Sequence, residues 1–198
     1  MWKLQGTRTK LKNMFWDQKP APQPDLAHLT VADARVRDTL SVLGAAEDLS
    51  DLDFTVDRRD AYEAGSNQWF EVSGTWRDRR VFLEVHTGDN TEVLGNFDGR
   101  RLTLDELGLS EDDMGELDQR QNQSDFIDFE GKFWLYRFSR EAGIFGEGHD
   151  TGRGLYCWQF QEQGGTRFLS VRKFEGEPFT AAIWLRIEPN DITVFRGA

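Results

Sequence analysis

Few residues in this 198-residue chain are of a type and spacing to do chemistry. There is one cysteine, Cys157, and there are three histidines, His28, His86 and His149. His149 lies eight positions before Cys157 and could fold back on it across a loop. A nucleophilic thiol needs a neighbouring base or a helix N-terminus to hold it as thiolate. Cys157 sits instead within GLYCWQFQ, between Tyr156 and Trp158, and reads as a packed core thiol. His86 closes the run RRVFLEVH. Strand alternation puts it on the face of Phe82 and Glu84, opposite Val81, Leu83 and Val85, as an exposed strand histidine.

The acidic clusters read as solvated faces rather than metal sites. Counting an EF-hand loop from Asp51 puts Thr55 and Val56 where an acid and a glycine are required. Glu111, Asp112 and Asp113 follow Ser110 and suit the positive first turn of a helix. The sequence has no phosphate-binding loop, dinucleotide fingerprint, zinc-protease motif or nucleophile elbow. No catalytic residue, metal or cofactor is expected, and the reading leans away from an enzyme.

The most unusual local feature is GIFGEGHDTGRG, residues 143–154, with five glycines interleaved with Glu147, His149, Asp150 and Arg153. No helix pattern follows it, as a phosphate loop would need; an aromatic strand does. Polar loops on rigid β scaffolds carry function. Those four residues, with Trp134 and Trp158 on the bordering strands, are therefore the candidate ligand-binding set. In KFWLYRF, alternation places Trp134, Tyr136 and Phe138 on one face and Phe133 and Leu135 on the other. Tyr156, Trp158 and Phe160 likewise share a face.

The elements that would position these residues are short β-branched and aromatic runs bounded by turn residues. They are DFTVD, QWFEVSGTW, RRVFLEVH, EVLGNF, KFWLYRFSR, GLYCWQFQ, TRFLSVRKF, FTAAIWLRIE and DITVFR. The fold class expected is mainly β: an antiparallel sandwich or partly open barrel with one or two short helices. One helix is expected near 110–120, capped by Ser110, after a turn at 103–107. LTVADARVRDTLSVLG reads either as a short strand pair or as one helix. A faint repeat aligns Trp69, Gly74 and RVFLEV with Trp158, Gly164 and RFLSV, two hairpins with the same Phe-Leu-x-Val return.

Charge divides the chain in two. The net −11 combines +4 over residues 1–24 with −15 over 25–198. The KPAPQPD segment, with Pro20, Pro22 and Pro24, reads as an extended spacer. The expected organisation is a basic arm and linker (1–24) and one β-rich domain (25–198). The arm offers Trp2, Lys3, Lys10, Lys12, Phe15 and Trp16 to an anionic membrane surface, through residues 1–19, or to an acidic partner. Docking back on its own acidic domain is the alternative. The acidic domain repels phosphate, so no nucleic acid is expected. One cysteine and no apolar leader point to a cytoplasmic protein, peripheral to the inner membrane if the arm reaches it.

The run DFIDFEGKFWLYRFSREAGIFGEG, then GLYCWQFQEQGGTRFLSVRKFEGEPFTAAIWLRIEPNDITVF, resembles the bacterial DUF4178 family. The likeness lies in Gly-x-x-Trp-x-Tyr, the glycine-rich loop, Tyr-x-Trp-x-Phe, Leu-Ser-Val with a basic-aromatic pair, and the closing Pro-x-Asp-Ile-x-Val. RVRDTLSV and RVFLEV extend it to roughly residues 35–196. A Gly-Asp step expected from the family reads Arg37-Asp38 here. The resemblance implies a small β-rich bacterial protein in an accessory role near membrane proteins. It carries no activity and no catalytic residues. The functional expectation is a non-enzymatic binding or scaffold module with a protein partner; the alternative is a small-ligand-binding protein or hydrolase-like enzyme using the 143–154 loop.

Overall fold

The computed structural model describes residues 29–146 and 151–197. Eleven strands follow in chain order: β1 (Thr39–Val42), β2 (Leu52–Ala64), β3 (Asn67–Trp76), β4 (Arg79–His86), β5 (Glu92–Asn96), β6 (Phe126–Phe129), β7 (Lys132–Gly146), β8 (Arg153–Glu162), β9 (Arg167–Phe174), β10 (Phe179–Ile187) and β11 (Ile192–Phe195). One helix, α1 (Glu111–Arg120), lies between β5 and β6. The strands pair antiparallel in the order β11-β1-β2-β3-β4-β5-β10-β9-β8-β7-β6, and β2 also pairs with β7. That last pairing closes β2–β5 and β7–β10 into an eight-stranded barrel. The mainly β expectation holds, and the barrel is closed rather than partly open. Closure depends on the unusual length of β2 and β7: each pairs with its short leading strand over one half and with the other over its far end.

The barrel is built from the same five-stranded meander used twice, β1–β5 and β6–β10. Each meander opens with a four-residue strand, continues with a long bulged one, and follows with strands of ten and eight residues. The bulges fall at Val56/Arg58 and at Tyr136/Phe138. A bulge inserts one residue and flips the alternation beyond it. Even-numbered side chains therefore leave the outer core and enter the lumen: Phe54 and Val56 give way to Asp60 and Tyr62, and Trp134 and Tyr136 to Phe138. This is why Phe138 does not share a face with Trp134 and Tyr136. At the first bulge the strands approach so closely that a Cβ on Gly74 would stand 2.2 Å from the Thr55 carbonyl oxygen.

The hairpin repeat is visible in three dimensions, with one shift. Matching the strands end to end, Asn67–Trp76 on Arg153–Glu162 and Arg79–His86 on Arg167–Phe174, puts Phe82 on Ser170, two places past Phe168, so the Phe-Leu-x-Val returns lie on equivalent strands but out of register. The same match puts Trp158 on Val72, and Leu155 on Trp69. Trp69 accordingly points into the lumen and Trp158 outward.

Apolar side chains cover the barrel on its outside. Outer residues of β3–β5, such as Val72, Val81, Leu83 and Val93, pack under β1, β11 and the Val31–Asp33 turn. Outer residues of β8–β10, including Trp158, Phe160, Leu169 and Val171, pack under β6 and α1 through Met114 and Leu117. The helix begins where expected. Ser110 accepts the Asp113 amide at 3.2 Å and Asp113 accepts the Ser110 amide at 2.8 Å, a reciprocal cap. Its Asp118 then accepts the Tyr156 hydroxyl at 2.5 Å and that of Ser139, pinning helix to barrel. The ambiguous 29–44 stretch resolves into the short turn at Val31–Asp33 and the single strand β1.

Candidate functional site

Outer faces packed against covering elements leave the lumen as the place for polar groups. Its first half is acidic. Asp60 on β2 pairs in register with Glu71 on β3, and Glu71 with Glu84 on β4, so three carboxylates stand side by side across three strands. The equivalent positions of the second meander, counted from the strand ends and the bulge, are Arg140, Cys157 and Arg172. Like charges in direct cross-strand register repel. The opposing half answers with Arg172 of β9. Its guanidinium donates to Glu71 at 2.9 Å, to Glu84 at 2.6 Å and to the Tyr62 hydroxyl at 3.2 Å. The three charged side chains are only 8–16% exposed.

Each member of the row is neutralised differently. Asp60 has Arg58 at 2.6 Å. Glu84 would be raised by burial, but the His86 ring bonded at 2.7 Å and the charges of Arg172 and Arg140 hold it below the usual carboxylate range. Glu71 is raised above that range: burial dominates, the adjacent Glu84 adds to it, and Arg172 offsets only part. Arg172 stays firmly protonated; burial would lower it, but Tyr62, Glu71 and Glu84 outweigh burial.

This layer floors a cavity of about 360 Å³. Ligand sites in proteins commonly start at about 300 Å³. The wall carries five arginines, Arg58, Arg80, Arg101, Arg153 and Arg172, against two carboxylates, Asp60 and Glu71. Phe82, Phe174, Ile144, Ala182 and Trp184 supply its apolar surface. Arg80 forms a fork with Asp57 (2.6 Å twice) and reaches Ser73. Arg153 meets Glu177 at 2.6 Å. Both of those carboxylates are about half exposed, so these pairs are weak holds.

Arg101 differs from the others. It follows β5, lies over the Phe82 ring at 4.4 Å, and among the described residues bonds the Asn96 side-chain oxygen and the Arg100 carbonyl. No carboxylate lies within ion-pair distance of it among the described residues. Burial lowers its pKa, and Glu71 compensates in part. The Trp184 indole N–H, on a residue 2% exposed, also has no acceptor among the described residues. The cavity is thus rich in donors and positive charge, and short of acceptors.

No protein-family model matches the chain, and no curated protein and no solved structure matches it. The site is therefore read from its own geometry.

The expected site residues divide. Arg153 lines the cavity, as does Ile144 from the glycine-rich segment. That segment is shorter as a loop than its composition implied. Gly143–Gly146 complete β7, and Arg153 and Gly154 begin β8. Its glycines make room for one ring: a Cβ on Gly152 would sit 2.5 Å from Phe145. Glu147, His149 and Asp150 lie outside the described residues, as do the arm residues Trp2, Lys3, Lys10, Lys12, Phe15 and Trp16. Trp134 is wholly buried in the outer core, its indole N–H on the Phe129 carbonyl. Trp158 packs there on Tyr156 and Phe179. Neither lines the large cavity.

His86 shares a face with Phe82 and Glu84, but that face is the lumen. The ring is stacked on Trp69 and is 30% exposed rather than free in solvent. Cys157 is a buried thiol bonded to the Arg140 carbonyl, pushed up to about 11 chiefly by burial. Among the described residues no three His, Cys, Asp or Glu could hold a metal ion, and no helix is long and apolar enough to cross a membrane.

Asp60, Glu71, Glu84, Arg101 and Arg172 were missed from sequence. Their signal was the polar set Glu71/Ser73 and Glu84/His86 alternating with Phe70/Val72 and Val81/Leu83/Val85. Such alternation reads as core on one side and water on the other. Only closure of the barrel turns the watery side into a lumen.

Proposed function

We propose that this barrel is a non-enzymatic binding protein whose lumen takes a small organic anion with an apolar body. The observation that carries the reading is the excess of arginine around a cavity with an aromatic wall, above all Arg101, laid over the Phe82 ring and without a carboxylate within ion-pair distance among the described residues. A guanidinium at a cavity wall with no carboxylate partner is stabilised when an anion reaches it. The aromatic and aliphatic wall takes the body of the ligand. This narrows the expected binding module to a ligand barrel.

The test uses two fluorescent probes of similar shape, one charged and one not: anionic 1-anilinonaphthalene-8-sulfonate and neutral N-phenyl-1-naphthylamine. The anionic probe should bind saturably. The double variant R80Q/R101Q should weaken it at least tenfold, with little effect on the neutral probe. Energy transfer from tryptophan to bound probe should fall in W184F. Equal binding of the anionic probe by the wild type and R80Q/R101Q overturns the reading.

A further inference from the structure

The carboxylate row poses a problem for any anion entering the cavity. Glu71 is its middle member, flanked in register by Asp60 on one side and Glu84 on the other. The groups facing it from every packed element are Asp60 and Tyr62 of β2, Glu84 of β4, Arg172 of β9, and Arg101 after β5. Asp60 has its own arginine. Glu84 has His86 as well as a share of Arg172. Glu71 has only its share of Arg172, through one carboxylate oxygen. Its other oxygen has no hydrogen-bond partner among the described residues, and the residue lines the cavity. A ligand anion seated against Arg101 and Arg172 would bring a fourth negative charge to this row.

We propose that Glu71 is the residue that reconciles the acidic row with an anionic ligand: in the loaded barrel it is the neutral acid, so capture takes up one proton. The proton comes from solvent and forms one O–H bond on the Glu71 carboxylate. That O–H donates to the anion, and the charge that would repel the ligand becomes a hydrogen bond to it. A buried carboxyl kept neutral among apolar and like-charged neighbours is an established way to donate to an oxyanion. Glu71 is thus a positioning and selectivity residue. It favours anions able to accept a hydrogen bond and makes the barrel load in acid and release in base.

The inference rests on the anion-binding reading, and one set of titrations separates the two. Binding of 1-anilinonaphthalene-8-sulfonate, whose sulfonate does not titrate in this range, is followed from pH 6 to 9. Above the point where Glu71 of the empty barrel ionises, affinity should fall by up to about tenfold per pH unit. Calorimetry in phosphate and in Tris, buffers of different ionisation heat, should report close to one proton taken up on that limb. E71Q, a neutral donor of the same shape, should flatten the profile and bind at pH 9 at least tenfold tighter than wild type. Wild-type calorimetry decides the matter even if E71Q does not fold. A flat wild-type profile with no proton uptake, while binding still depends on Arg80 and Arg101, overturns the role of Glu71 alone. A slope that survives in E71Q overturns it too. Binding indifferent to R80Q/R101Q overturns the cavity reading and this one with it.

Discussion

Replacing Arg172 by methionine tests whether one guanidinium holds the lumen together. Methionine keeps most of the side-chain volume but removes the charge. It leaves Glu71 and Glu84, 8% and 10% exposed, facing each other in register without their shared cation. Breaking a buried ion pair from one side costs about 3–5 kcal/mol, because the abandoned charge stays desolvated. For a chain of this length each kcal/mol moves Tm by about 2–4 °C, so the melt should drop by roughly 6–20 °C. The sign with pH follows from the carboxylates. Without Arg172 their folded-state pKa values rise above the unfolded value of about 4.3. The folded state then binds more protons than the unfolded one, and stability is lost as pH rises through that window. The penalty should be small near pH 5 and full by pH 8. Urea denaturation at several pH values, with thermal melts beside it, measures this. The triple variant R172M/E71Q/E84Q should recover more than half of the loss. A penalty below about 1 kcal/mol, or one that does not change with pH, would refute the claim that Arg172 neutralises the row.

Two further outcomes concern the covering layer. Asp38 is 1% exposed and takes the Arg35 amide (2.9 Å), the Gly197 amide (3.1 Å) and the Arg196 guanidinium (2.7 Å), tying the end of β11 to the start of β1. D38N should cost about 2–4 kcal/mol in urea denaturation, since it removes a charged acceptor and leaves buried donors poorly matched. Arg37 holds φ at +80°, a region that favours glycine. R37G should therefore be neutral or stabilising by up to about 1 kcal/mol, whereas a loss beyond that would show that the Arg37 side chain contributes.

Much of the fold was legible because its signals are local. Ser110 with Asp113 announces α1, and seven of the nine expected runs became strands close to their sequence bounds. The other two, DFTVD and KFWLYRFSR, grew into β2 and β7, and β1 and β6 were added beside them. These extensions depend on pairing between distant segments rather than on their own composition. Asp57 to Glu63 is too charged to read as strand, and Gly143–Gly146 too glycine-rich; Asp60–Glu63 and Gly143–Gly146 pair with each other across the β2–β7 seam, beside their pairings with β3 and β8. The candidate site was less legible. Arg153 could be named because it stands beside a conspicuous loop. Glu71 and Arg172 are 101 positions apart, and nothing in either neighbourhood marks them as a pair. The bulges at Val56/Arg58 and Tyr136/Phe138, which decide what enters the lumen, leave no trace in alternation counted along a single strand.

The two meanders meet along narrow seams. β5 and β10 share three register pairs, β2 and β7 share four, and β11, which follows the second meander, adds four with β1. Between the halves runs the long connection from Phe97 to Asp125. Each half therefore carries most of its own pairing and takes its closing edges, and for the first half the covering strand β11, from the other. A second copy of the chain can lend the same edges. At high concentration after partial unfolding, this architecture predisposes the protein to exchange whole halves between molecules, giving a domain-swapped dimer with two complete lumens.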